Sequence, residues 1–356
     1  ITPLAGLEEL ISLNLNNNQI SDLRPLANLT NLSDLGLDAN EIEDISPVRS
    51  LTRLSNLSLE NRVWSGDYRE VGGNNAVSDL TPLQNLTELN ELYLDGNAVF
   101  DLQPLANLTT LLHLGLPRNR VTDLSPLAGL TQLLSLNVDV NLIDDFSPLT
   151  DLTNLQELNA SSTELSDLNK LPALPNLTNL SLSGNGIQDL TPITRFPSLF
   201  SLDLSSNQIK DVAPLATVPT LTRLSLNDNQ ISDLAPLTSL DSLLSLSLTI
   251  NQIENVSPLS SLTGLTELAL GFNDIRDATP LADLTRLEYL VLVANQIKDV
   301  SPLANLTELN SLFLDENPIA DLSPLSGLTK LNRLTFYSIP PAAQVCPIQT
   351  DMVCEF

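Results

Sequence analysis

Apolar residues recur along the chain to a fixed beat. Leu29, Leu32, Leu35, Leu37, Ile42 and Ile45 form one set, and Leu51, Leu54, Leu57 and Leu59 begin the next. Inside each set the spacing tightens once: Leu35 and Leu37 alternate with Gly36 and Asp38. A period of two puts both Leu side chains on one face of a short strand and the intervening residues on the other. The remaining apolar positions belong to a coil that turns back inward. One such coil cannot bury its own apolar face, whereas stacked neighbours make a continuous core.

Polar columns run through the same beat. Asn recurs at 18, 40, 75, 97, 119, 141, 185, 207, 229, 251, 273, 295 and 317, a step of 22 almost throughout. Thr163 stands where the column predicts Asn, and the step from 40 to 75 is 35, an insertion of 13 residues. Four places after each Asn comes Asp, from Asp22 to Asp321, with Asn255 once in its place. Pro forms a third column from Pro3 and Pro25 to Pro302 and Pro324, lapsing at Lys170. The Asn amide, placed where the strand turns away, can satisfy turn backbone groups and stack into a ladder. The Asp carboxylate precedes a Leu-x-Pro turn and can cap the free N–H groups of a short 3-10 helix. The other use of stacked carboxylates is Ca²⁺, which needs six to eight converging oxygens. A column whose members are each tied to a separate turn does not converge.

The unit Leu29-Thr-Asn-Leu32-Ser-Asp-Leu35-Gly-Leu37-Asp-Ala-Asn40 resembles the leucine-rich repeat, L-x-x-L-x-L-x-x-N. The 22-residue form with a P-L-A-x-L-T-x-L segment is similar to the internalins in particular, over roughly residues 1–339. The resemblance implies an α/β solenoid: a right-handed superhelix, a horseshoe or arc, with a parallel concave β-sheet and a 3-10 or irregular convex side. Pro in each unit, which breaks longer helix, predicts the same convex side. Fourteen strand-bearing units and a partial fifteenth at Leu331–Phe336 are expected, an arc on the order of 70 Å long. Residues 1–339 form the solenoid, with the insertion within 60–74, and residues 340–356 form a C-terminal cap. Cys346 and Cys354 in that cap either close a disulfide or remain two buried thiols. A disulfide favours a secreted or cell-surface location, free thiols a cytoplasmic one. Ile1 enters in mid-repeat, leaving Leu4, Leu7, Leu13 and Leu15 uncovered. The expectation is a chain trimmed from a longer one, or an open end that pairs with something.

Composition narrows the chemistry. The 356 residues carry 16 basic and 43 acidic side chains, a formal charge of −27. That excess repels phosphate and argues against nucleic acid. Two Cys and one His cannot build a structural zinc site of the usual kind. No apolar run reaches the length of a membrane span. No paired catalytic carboxylates outside the columns, no phosphate-binding Gly loop and no nucleophile motif mark an enzyme, and no cofactor is implied. The leading reading is a bacterial, non-enzymatic module that binds a protein partner through the concave face, as the resemblance implies. The alternative is an intracellular scaffold or regulatory region of a larger signalling protein.

Candidate contacts lie where the copying fails. Most outward slots in the middle of the chain are small and polar, among them Ser181, Ser183, Ser205 and Ser225. Tyr289, Val291 and Val293 fill one late coil, Phe313 follows on the next, and Phe272 and Tyr337 flank them. Such a patch either anchors a partner or packs under the cap or within the sheet. The insertion holds the only Trp, Trp64, with Tyr68 and Arg69; it is either a binding loop or a self-packed one. Asp34, Asp38, Glu60, Glu91, Asp95 and Asp139 either steer a basic partner or form a solvated acidic surface. Tyr93 is expected to join the contacts. Its neighbour His113 is either a pH-sensitive contact or an ordinary surface His.

Overall fold

The computed structural model describes residues 1–64, 70–337 and 353–355, with backbone alone for 62–64, 70–72 and 353–355. The chain forms two compact units, Ile1–Leu165 with Asn169–Ser181, and Ser166–Leu168 with Leu182–Phe356. Each is built of coils that begin with a three-residue strand.

In the first unit the strands are β1 Ser12–Asn14, β2 Asp34–Gly36, β3 Asn56–Ser58, β6 Glu91–Tyr93, β7 His113–Gly115, β8 Ser135–Asn137, β9 Glu157–Asn159 and β10 Asn179–Ser181. They pair in parallel in that order. The insertion supplies an antiparallel pair of its own, β4 Arg62–Trp64 with β5 Glu70–Gly72. The second unit holds β11 Ser201–Asp203, β12 Arg223–Ser225, β13 Ser245–Ser247, β14 Glu267–Ala269, β15 Tyr289–Val291, β16 Ser311–Phe313, β17 Arg333–Thr335 and β18 Val353–Glu355. These too are parallel in sequence order.

The opposite side of each coil is a 3-10 helix of three to five residues, and no α-helix occurs among the described residues. Every 3-10 helix carries Pro at its first or second position except Leu168–Lys170, where the Pro column lapses. Beyond the first coil the two apolar residues of each strand segment and the apolar residues that face inward from the turns are buried, as alternation requires. Three of the eight Phe, at 146, 196 and 336, take Leu positions inside the core. At the first coil Leu7 and Ile11 are exposed, while Leu4, Leu13 and Leu15 are half-buried.

The Asn column is a buried ladder. Asn207 donates from Nδ2 to the carbonyls of Leu182, Leu204 and Ser205 at 3.0, 2.9 and 3.0 Å. Its Oδ1 accepts from the N–H of Ile187 at 2.9 Å. The same amide therefore closes its own turn and ties it to the coil before. Thr163 stands in the same column, and its hydroxyl donates to the Ala160 carbonyl at 2.9 Å. The insertion leaves the ladder intact. Asn61 spans its base, accepting from the N–H of Asn75 at 3.0 Å and donating to the Gly96 carbonyl at 3.0 Å. Asn75 then bonds the Leu37 carbonyl and accepts from Ile42 N–H as any other member would. A Cβ at Gly73 would lie 2.3 Å from the Ala39 Cα, so the returning leg of the hairpin needs a residue without one.

The Asp column caps the turns from one residue outside the usual cap position. In Asp44-Ile45-Ser46, the Ile45 side chain cannot accept a hydrogen bond, and the Asp44 carboxylate accepts from the Ser46 N–H at 2.8 Å. Asp22, Asp79, Asp101, Asp123, Asp145, Asp189, Asp211, Asp233, Asp277, Asp299 and Asp321 do the same within 2.8–2.9 Å, and Asn255 at 3.0 Å. Among the described residues no cluster of His, Cys, Asp or Glu is arranged to hold a metal. No helix there is long and apolar enough to cross a membrane.

Candidate functional site

The solvent side of each sheet presents three slots per coil, at 34, 36 and 38 in the coil of Asn40. The two units fill these slots differently. The first is acidic: Asp34, Asp38, Glu60, Glu91, Asp95, Asp139 and Glu157 occupy them with no Lys or Arg. Two of these are structural. Asp38 accepts from Asn16 Nδ2, from the Ser58 hydroxyl and from the Glu60 N–H at 2.8 Å. Asp139 accepts from the Ser161 N–H at 2.6 Å. In the second unit Asn227 and Asp315 repeat the stitch to Thr249 and Tyr337. These side chains bind coil to coil before they present charge to solvent.

Glu60 stands between Asp38 and Asp95 in one slot column. Burial and then the charges of Asp38 and Asp95 push its carboxyl up to about 7. An acid raised this way holds its proton in the folded state between roughly pH 4.5 and 7, where the unfolded chain has released it. Stability therefore falls as pH rises through that window. Replacement Glu60→Gln is expected to flatten this slope, read as melting temperature at about pH 5 and pH 8. Identical slopes in both proteins would refute the assignment.

Tyr93 lies against Gly115, where a Cβ would meet its Cδ1 at 3.0 Å. Its hydroxyl donates to Glu91 at 3.3 Å, and burial, reinforced by the Glu91 charge, raises it to about 12. Tyr93 and Glu91 edge a shallow trough of about 220 Å³ over β1, β2 and β3. His113 pairs with Glu91 in the strand register and is half-buried. Tyr93 belongs to the first unit and the later aromatics to the second.

In the second unit the sequence candidates converge. Tyr289 and Phe313 stack with centroids 5.3 Å apart and planes tilted by 53°. Val291 is the register partner of Phe313. Arg333 lies over the Phe313 ring with its guanidinium carbon 5.2 Å from the centroid, within cation–π range. Tyr289 remains 42% exposed despite these contacts, so the cluster faces solvent. Val293 is half-buried one slot beyond Val291. Phe272 is not on a strand: it precedes the ladder residue Asn273, in a left-handed turn with φ +54°, 51% exposed. Tyr337 is exposed, with Asp315 between it and Val293 in its slot column. Sequence reading missed Arg333, although it shares an outward slot with Tyr289 two coils earlier. The side chains of Trp64, Tyr68 and Arg69 and the pairing of Cys346 with Cys354 lie outside the described residues.

The Leucine Rich repeats (2 copies) family matches residues 8–50, 153–195, 197–239, 219–261, 263–305 and 285–327. An internalin, InlF, of Listeria monocytogenes is 32% identical over 98% of this chain and 87% of its own, with a TM-score of 0.60. This chain is an internalin-type leucine-rich-repeat protein. A leucine-rich-repeat protein of Leptospira interrogans is 26% identical, covering 94% of this chain and 86% of its own, with a TM-score of 0.80. A plant peptide hormone receptor, RGFR1, solved in complex with RGF2, is 20% identical over 95% of this chain and 57% of its own, with a TM-score of 0.68, and shares the fold alone. No curated protein sequence matches. Within the internalin-type frame the stretch 51–152, which holds the insertion, is left unmatched by the repeat family.

Proposed function

We propose that the chain is a non-enzymatic recognition module that binds a protein partner through the solvent face of its sheet, with the 60–74 loop as a second contact. One observation carries this reading: Tyr289, Phe313 and Arg333 pack together on the solvent side of the sheet, on coils that follow the small polar slots Ser245, Ser247 and Thr249. Exposed aromatics beside an Arg have the composition of binding hot spots. The repeat frame supports it, since it serves as an interaction scaffold in relatives and in the peptide-bound receptor. Kinship with proteins of Listeria and Leptospira supports a bacterial origin and a secreted or surface location.

The test compares retention of proteins from host and bacterial lysates by the wild type and by Phe313→Ala. The variant is expected to fold normally and to lose roughly tenfold or more in affinity for the retained partner, about 1.4 kcal/mol. Equal retention by a folded Phe313→Ala protein would discard the anchor.

A further inference from the structure

In the second unit the residue before each ladder Asn adopts a left-handed conformation. This turn slot is filled by Gly184, Ser206, Asp228, Ile250, Phe272, Ala294 and Glu316. Only glycine enters that region freely; for a β-branched or bulky residue it is a true outlier. Ile250 at φ +59° and Phe272 at φ +54° carry that cost on adjacent coils. Both also leave large apolar side chains in water, 49% and 51% exposed. Two separate costs thus fall on the same two residues. Val140 shares the conformation in the first unit, beside exposed Leu142. Ile250 and Phe272 differ from it in bonding through their N–H groups to Gly271 and Val293, on the coils that lead into the aromatic slots.

The connection is direct. The Ile250 N–H donates to the Gly271 carbonyl at 2.9 Å, and the Phe272 N–H to the Val293 carbonyl at 2.7 Å. Between them Gly271 is buried: a Cβ there would meet Val291 Cγ1 at 3.4 Å and Thr249 Cγ2 at 3.6 Å. Val291 and Thr249 thus close over Gly271, between the slots of Tyr289 and Phe313 on one side and the turn residues Phe272 and Ile250 on the other.

Charge defines what fits. Asp228, Glu267, Asp274 and Glu316 stand exposed around these residues. Of the neighbouring cations, Arg276 donates to Gln296 at 2.8 Å and Arg333 lies on Phe313; Arg223 is exposed three coils before Tyr289. The whole chain carries −27, which disfavours an acidic occupant and a second copy alike.

We propose that Ile250 and Phe272 extend the aromatic face into one apolar strip, and that its occupant is a partner segment with apolar side chains flanked by Lys or Arg. This rests on the sheet-face reading above and adds the rim and the partner's chemistry. Strained residues held at binding sites follow a known pattern.

The test uses fluorescein-labelled peptides against the full chain, read by polarisation. The probes are Lys-Lys-Leu-Phe-Leu-Lys-Lys, its Glu-flanked counterpart, and a Lys-flanked Ser-Gly-Ser control. The basic apolar peptide is expected to bind at least about tenfold more tightly than the other two, and less tightly as salt rises. Ile250→Ser with Phe272→Ser is expected to weaken it by about tenfold while melting no lower than the wild type, since Ser206 already occupies this slot. Equal binding of the acidic peptide, or undiminished binding by the double variant, overturns the proposal. Loss on Phe313→Ala with full binding by the double variant overturns the rim and leaves the sheet face standing. Loss by the double variant alone supports the rim and removes the Phe313 anchor.

Discussion

Asn207→Ala destabilises the protein by about 3 kcal/mol, while Asn18→Ala, in the same column, costs less than about 1 kcal/mol. Sequence alone makes the two residues equivalent. At 207 the amide is buried and serves both its own turn and the previous coil. Removing it strands the Ile187 N–H and leaves the Leu182 and Leu204 carbonyls each with one amide donor instead of two. A stranded buried donor costs roughly 1–3 kcal/mol, and weakened acceptors add to it. Asn18 is exposed, and its amide bonds only the Leu15 and Asn16 carbonyls, which water can replace. Urea unfolding of both variants checks the contrast. Equal shifts in midpoint would show that the ladder contributes by backbone preference rather than by buried hydrogen bonding.

Acid is expected to unfold the protein through its Asp column. The carboxylates of Asp22, Asp44, Asp123, Asp145, Asp189, Asp277, Asp299 and Asp321 are all held below the ordinary Asp value. The main causes are hydrogen bonds from the turn they cap; at Asp22 the Arg24 side chain leads and brings the group to about 2. Repulsion along the column works against this but ranks last where it appears, as for Asp299 beside Asp277. A depressed acid binds its proton first in the unfolded state, so its stabilisation is complete above the ordinary Asp value and is lost as pH falls through the folded values. The fall is expected below about pH 4 and toward pH 2. Asn255 supplies the control, since it makes the same bond without charge. Asp189→Asn with Asp277→Asn and Asp299→Asn should fold at neutral pH and show a shallower acid transition. An unchanged acid midpoint would remove the column from the cause.

Most of the frame is legible in the sequence because it is local and repeated. Leu35 and Leu37 declare a strand by their alternation, Pro47 declares a 3-10 turn, and Asn40 and Asp44 stand at fixed places in the repeat. The candidate surface is less legible. Asp38 and Asp139 read as open acidic charge, yet both stitch neighbouring coils, because their acceptors face N–H groups 22 residues away. Ile250 carries no signal in the sequence, and only its positive φ and its exposure give it meaning. The spacing places Arg333 in an outward slot, but only the structure lays its guanidinium over the Phe313 ring.

The sequence by itself determined the repeat, the identity of the core residues, the Asn column at the turns and the capping Asp column. Each follows from a period that recurs within a single coil. The tertiary structure alone decided which Asn are buried and which charges are consumed in stitching. It raised the Glu60 carboxyl and brought Tyr289, Phe313 and Arg333 together. Those outcomes depend on what the next coil places about one strand spacing away, a distance that 22 residues of chain conceal.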